Sequence, residues 1–169
     1  MTPALAQEAT TATAETAVKD FSVGSPGAKV KMVEYASFTC PHCATFHETV
    51  YPQLKTEYID TGKVHFTLRE VYFDRYGLWA ALIARCGGDM KYFGIHDMLF
   101  AQQKDWAASE DPMQVVEKLK TIGRAAGLED AAMDACLNDT ANAEALLIQS
   151  FVGEAIEGLY VAGEAGSLW

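Results

Sequence analysis

The 169-residue chain has little positive charge and lacks a long apolar run. It carries 13 Lys and Arg against 23 Asp and Glu, for a formal net charge of −10. Because nucleic acids and anionic membrane surfaces attract basic patches, this charge argues against either as the main partner. No apolar run reaches about 18 residues, so the sequence predicts no membrane-spanning helix. Proline is also scarce, and none of the five prolines follows Pro112.

The composition that remains is that of a globular protein. Half of the residues are hydrophobic and about a fifth are charged, and no internal repeat is evident. A chain of this length holds one domain, or one domain with an insertion.

The N-terminal residues carry a signal of export. Ala4-Leu5-Ala6 before Gln7 has the small-x-small pattern found at the end of a secretory signal peptide. The alternative is a plain Ala/Thr-rich tail, since residues 8–16 contain no large apolar side chain. On either interpretation residues 1–20 are predicted to be a disordered tail. The even number of cysteines, four, also suits an oxidising compartment.

The motif Cys40-Pro41-His42-Cys43 is the most informative feature of the chain. It follows a strand-like run, 30–38, and opens a helix-like run. A thiolate at a helix N-terminus meets unpaired N–H groups and the positive end of the helix dipole, which favour the charged sulfur. Pro41 suits the first helical position and His42 adds positive charge. The pattern predicts a thiol pair that forms and breaks a disulfide with Cys40 as the thiolate.

The residues around the motif predict a strand–helix–strand unit. The strand 30–38 is followed by a helix over 44–59, which Pro52 should kink, and by an alternating strand from Val64 to Arg69. This order favours a parallel βαβ unit. From Gly77 onward the pattern is helical, with helices predicted at 78–86, 89–103 (capped by Asp89), 112–127 (capped by Asp111), 129–137 and 141–158.

The run from Val33 to Cys43, VEYASFTCPHC, resembles the active-site segment of DsbA-type thiol:disulfide oxidoreductases. The resemblance covers roughly residues 20–149. It implies an α/β thioredoxin-like fold with a βαβ core at 21–76 and a helical insertion at 77–149. The segment 150–169 is divergent.

The same resemblance implies a function and roles for particular residues. Cys40 is expected to exchange disulfides, and Cys43 to be the buried resolving cysteine. Glu34 lies where the family has a buried glutamate that is thought to assist proton transfer; the alternative is an ordinary strand-end carboxylate. The protein is expected to be a periplasmic, bacterial enzyme that donates its disulfide to folding exported proteins. A membrane partner of the DsbB type would reoxidise it, and no cofactor is needed.

The other two cysteines, Cys86 and Cys136, lie on separate predicted helices. They are either a second, structural disulfide, as some bacterial relatives are expected to have, or two buried free thiols. A zinc site built on Cys40 and Cys43, with help from His47, is disfavoured because no second close pair of ligands exists. We therefore expect no metal.

The C-terminal end departs from the family pattern. A thioredoxin fold should finish with a strand that begins at a cis-proline, and the residues after Pro112 contain no proline. Either the last strands are missing or 150–169 adopts another structure, and in both cases the sheet keeps an open edge. This departure leaves two alternative functions: a reductase or isomerase of the same superfamily, or a non-catalytic binding module.

Overall fold

The computed structural model describes residues 18–152, with side chains through Ser150. The signal-like segment at Ala4-Leu5-Ala6 and the chain beyond Val152 lie outside the described residues, so the predictions for them stay predictions. Three strands form one sheet in the order β1-β3-β2: β1 is Phe21–Val23, β2 is Val30–Ala36 and β3 is Val64–Glu70. β2 and β3 are parallel, as the βαβ pattern predicts, whereas β1 pairs with β3 antiparallel.

Strand β1 is an addition to the two strands that the sequence predicts, at 30–38 and from Val64 to Arg69. Phe21 pairs with Leu68, and Val23 pairs with Phe66. The three residues of β1 are too few to give a strand pattern in the sequence, and the Gly-Ser-Pro-Gly stretch that follows them is typical of a turn. The backbone hydrogen bonds offered by the free edge of β3 supply what the local pattern lacks.

Lys19 and Asp20, which the sequence assigns to a disordered tail, contact the folded body. Lys19 lies 2.6 Å from the Asp89 carboxylate, and Asp20 lies 2.6 Å from the guanidinium of Arg69 on β3. The Asp20–Arg69 pair is partly shielded from solvent. These contacts place residues 18–20 against the folded body, ahead of β1.

The helix after β2 is broken into three pieces. Helix α1 covers Pro41–Thr49, α2 covers Tyr51–Leu54, and a π-helical turn covers Lys55–Ile59. The break falls at Val50, two residues before Pro52. A proline has no N–H and its ring crowds the carbonyl one turn back, which disrupts the preceding turn as expected. Gly62, with φ of 75°, follows the last turn.

The predicted helical insertion is present and contains one more helix than the sequence indicates. Asp111 caps α6 with a 2.9 Å hydrogen bond from Met113 N–H, as predicted. The prediction that Asp89 caps a helix is wrong, because Gly87 is the N-cap of α4 and Asp89 lies inside its first turn. The helices are α3 (Arg75–Cys86), α4 (Gly88–Ala101), α5 (Gln103–Trp106), α6 (Pro112–Ala125), α7 (Asp130–Leu137) and α8 (Thr140–Val152).

One hydrophobic core joins the sheet to the helices of the insertion, α3 to α8, which together form the helical block. Phe66 and Leu68 of β3 are fully buried, as are Leu99 of α4 and Trp106 of α5. Helix α1 packs against α4, and α3 packs against α4, α6 and α7. Since α1 carries the Cys-Pro-His-Cys motif, the helical block directly supports that helix. Within residues 18–152 no helix has both the length and the apolar character required to cross a bilayer.

Candidate active site

Cys40 stands at the boundary between the loop after β2 and helix α1. It is the N-cap residue with extended backbone angles (φ −78°, ψ 118°), and Pro41 is the first helical residue. Ala44 N–H donates to the Cys40 carbonyl at 3.1 Å, which closes the first turn. No side chain caps this helix end by a hydrogen bond. The sulfur of Cys40 therefore occupies the position from which a capping group normally acts.

Cys43 lies one turn farther along the same helix. The exposed fractions are only 5 % for Cys40 and 3 % for Cys43. Burial, together with the hydrogen bond to Cys40, raises the pKa of the Cys43 thiol to about 12. Cys43 thus holds its proton at neutral pH.

The two residues between the cysteines are exposed. Pro41 and His42 form the outer surface of the first helical turn, where the sequence places them. A partner that approaches Cys40 meets this surface.

Glu34 lies on β2 and is completely buried. Its two oxygens lie 3.0 and 3.1 Å from Nε2 of His47 on α1. The electrostatic effect of Glu34 also helps to raise the pKa of Cys43. The structure therefore brings Glu34, Cys43 and His47 into one buried group. From the sequence, His47 is a candidate only for the disfavoured zinc site.

The loop before the motif is held by side chains that the sequence did not indicate. Thr39 Oγ1 donates to Asp74 at 2.6 Å, and Asp74 also caps α3. The side-chain amide of Gln103 donates to the carbonyls of Phe38 and Cys40 at 2.8 and 2.9 Å. No local pattern marks these residues, because their partners are distant along the chain.

A groove of about 510 Å³ opens beside the motif, between α1, α2 and the helices α4 and α5. Pro41 and Ala44 border it on the motif side. His47 and Asp97 line it farther along, with Phe100 next to them. The groove therefore runs from the first turn of the motif helix to the buried Glu34–His47 pair.

The remaining cysteines lie far from this site. Cys86 at the end of α3 and Cys136 on α7 are joined by a disulfide, with Cα atoms 5.9 Å apart. The sequence left this pairing open against two free thiols. The bond ties together two helices of the insertion across 50 residues of chain.

A cis-proline loop is not found in the part of the chain that is described. Among residues 18–152 every peptide bond is trans. Of the segment 150–169, which the sequence predicts to be divergent, only the end of α8 lies within the described residues.

The site can be compared with known proteins. A family model described as Thioredoxin matches residues 16–157. The chain belongs to the thioredoxin family. Within that family it is DsbA-like: it is similar to the crystal structure of Wolbachia pipientis alpha-DsbA1, with a TM-score of 0.73 and 32 % identity. That match covers 78 % of this chain and 66 % of the other. The predicted mixed α/β thioredoxin-like fold with a helical insertion is thereby confirmed.

Curated relatives in this family carry the name of protein-disulfide oxidoreductases. The chain is 38 % identical to a Rickettsia bellii relative over 129 residues, which is 76 % of this chain and 49 % of the relative. It is 40 % identical to a Rickettsia conorii relative over 121 residues, 71 % of this chain and 43 % of the relative. The chain thus spans about half the length of the curated relatives it matches.

Proposed function

We propose that this thioredoxin-family chain is a protein-disulfide oxidoreductase, with Cys40 and Cys43 as its redox pair. The observation that supports this most is the asymmetry of the pair. Cys40 sits at the start of a helix, and Cys43 is a buried thiol with a pKa of about 12. The names of the curated relatives support the same reaction.

In the proposed reaction the oxidised form carries a Cys40–Cys43 disulfide. A substrate thiolate attacks the Cys40 sulfur, forms a mixed disulfide with it and releases the Cys43 sulfur, which takes up a proton. A second substrate thiolate then attacks the substrate sulfur of the mixed disulfide, and Cys40 leaves. Two electrons have moved from the substrate dithiol to the Cys40–Cys43 pair. In the opposite direction Cys43 resolves the mixed disulfide.

Glu34 is proposed to exchange the Cys43 proton. A buried thiol with a pKa of about 12 needs a nearby base when it attacks and a nearby acid when it leaves. Glu34 is the buried carboxylate that acts electrostatically on Cys43. His47 holds the carboxylate in place through Nε2. The exposed residues Pro41 and His42 are proposed to tune Cys40 and to contact the partner.

The cellular setting is also a proposal. The substrates would be unfolded or folding exported proteins, and a membrane protein of the DsbB type would restore the disulfide. The location would be the bacterial periplasm. Support comes from the DsbA-like fold and from the Cys86–Cys136 disulfide, which suits an oxidising compartment.

Two activity assays on the full chain test the proposal. The oxidised protein should restore the disulfides of a reduced, unfolded test protein, and Cys40→Ala should abolish this. Cys43→Ala should accumulate mixed disulfides through Cys40, visible as higher-mass bands on non-reducing gels. Insulin reduction without refolding activity would indicate a reductase. Inactivity in both assays would favour the binding module and overturn the proposal.

A further inference from the structure

Two helices bring three metal-binding side chains together beside the groove, which His47 and Asp97 line. His47 comes from α1, and His96 and Asp97 come from α4. One ligand atom of each side chain lies within 4.8 Å of the others. The rings of His47 and His96 are nearly perpendicular, with centroids 4.4 Å apart.

Both histidines have a ring nitrogen without a hydrogen-bond partner among the described residues. These atoms are Nδ1 of His47 and Nε2 of His96. The side chains are 3 % and 0 % exposed, so bulk water does not satisfy these nitrogens. A buried polar atom without a partner costs free energy, and at Nδ1 of His47 a bound ion would remove that cost. On His96 the nitrogen that can share an ion with Asp97 is Nδ1, which lies 2.9 Å from Asp97 Oδ1, so Nε2 of His96 would stay without a partner.

The second nitrogen of His47 has the partner that a metal ligand usually has. Its Nε2 faces the buried Glu34 carboxylate at 3.0 Å, which leaves Nδ1 as the nitrogen available to an ion. A carboxylate that accepts the distal N–H of a histidine fixes the tautomer and the ring orientation and makes the ligand more basic. The Phe100 ring stacks on His47, with ring centroids 4.3 Å apart.

We propose that His47, His96 and Asp97 bind a divalent transition-metal ion of the Zn²⁺ class. Two imidazoles and one carboxylate suit such an ion, and the carboxylate of Glu34 adds negative charge nearby. Since His47 and Asp97 line the groove, water can complete the coordination from that side. This ligand set contains no cysteine and differs from the zinc site rejected in the sequence analysis.

The ion would connect the helix that carries the redox pair to the helical block. α1 contributes His47, one turn after Cys43, while α4 contributes the other two ligands. Binding to the folded state alone raises the unfolding temperature by an amount that grows with the logarithm of the ion concentration divided by the dissociation constant. The proposal is independent of the redox function and is tested without it.

The experiment uses the full chain with Cys40→Ser and Cys43→Ser, so that no redox-site thiolate can bind the ion. ZnCl₂ is added during calorimetric titration and during thermal unfolding. The sequence has four histidines, and ring ¹⁵N NMR distinguishes them. We expect one Zn²⁺ per chain, a higher unfolding temperature and shifted ring signals of His47 and His96. The rings of His42 and His65 serve as internal controls.

A matched pair of variants completes the test. Asp97 is 52 % exposed, so Asp97→Asn should fold normally and should weaken Zn²⁺ binding at least tenfold. Asp105→Asn removes an exposed carboxylate on α5 and should leave binding unchanged. Absence of stoichiometric binding, equal affinity in both variants, or ring shifts confined to His42 and His65 would each overturn the proposal.

Discussion

Gln103 donates its side-chain amide to the backbone carbonyl of Cys40 at 2.9 Å, across 63 residues of sequence. The same amide reaches the carbonyl of Phe38 at 2.8 Å. One side chain of the helical block thereby binds both ends of the short turn from Phe38 to Cys40, which connects β2 to α1. The position of the reactive sulfur depends on a residue outside the βαβ core.

Replacement of Gln103 by alanine should therefore loosen the redox site. It leaves two carbonyls without this donor and should cost about 1–3 kcal/mol of unfolding free energy. Urea unfolding measures the loss. Gln102 is exposed and adjacent, so Gln102→Ala is the matched control and should change stability by less than about 0.5 kcal/mol. Equal effects of the two variants would contradict the supporting role of Gln103.

The pKa of Cys43 predicts selective alkylation of the reduced protein. Because burial holds the pKa of Cys43 at about 12, this thiol stays protonated and unreactive up to about pH 9. Iodoacetamide at pH 7 should modify Cys40 alone, as peptide mass spectrometry would show. Unfolding the protein before alkylation should label both cysteines. Labelling of Cys43 at a rate similar to that of Cys40 in the folded protein would refute the assignment.

The carboxylate of Glu34 can be removed with little change in shape. Glu34→Gln should slow the resolution of a mixed disulfide on Cys40 by about 10²-fold or more, the usual effect of a general base. Stopped-flow measurement across pH separates this from a fold defect. A base role predicts that the deficit shrinks at high pH, where hydroxide replaces the carboxylate. A pH-independent loss would instead indicate that Glu34 acts only on structure.

The Cys86–Cys136 disulfide should stabilise the insertion without taking part in exchange. Cys86→Ala with Cys136→Ala should lower the free energy of unfolding by about 2–4 kcal/mol, since the bond closes a long loop. Chemical denaturation under non-reducing conditions measures this. Disulfide exchange by the folded double variant should remain. Two titratable thiols in the fully oxidised, denatured parent protein would show that the bond does not form.

Burial of His96 predicts a pH dependence of stability. Burial lowers the pKa of His96 below its ordinary 6.5, although Asp97 opposes the shift. The imidazole of His96 therefore binds a proton more readily in the unfolded chain than in the folded chain. This contribution to stability is complete above about pH 6.5 and declines as the pH falls below it, by at most about 1.4 kcal/mol per pH unit. Urea unfolding between pH 7.5 and 5.5 should show the decline.

A matched pair of histidine variants isolates this effect. His96→Gln should flatten the decline, whereas His65→Gln on β3 should leave it as it is. If all three proteins lose stability equally between pH 7.5 and 5.5, another group is responsible.

Local sequence signals are sufficient for the parts of this protein whose structure depends on residues close together in the chain. The Cys-Pro-His-Cys motif at a strand-to-helix junction, the parallel βαβ unit and the Asp111 cap are each encoded within a few residues. Local signals failed where two elements meet closely. Gly87 alone separates α3 from α4, so Asp89 lies within a helix that begins before it.

Contacts between groups that are distant in the sequence depend on how the helices and the sheet pack together. Glu34 and His47, Gln103 and Cys40, and Cys86 and Cys136 are partners because helices pack on a sheet in one arrangement. The antiparallel pairing of β1 also depends on tertiary structure. The three residues of β1 do not specify a strand by themselves, and the edge of β3 supplies the backbone hydrogen bonds that make them one. A residue pattern specifies an element, but burial and hydrogen bonding between elements select its partners.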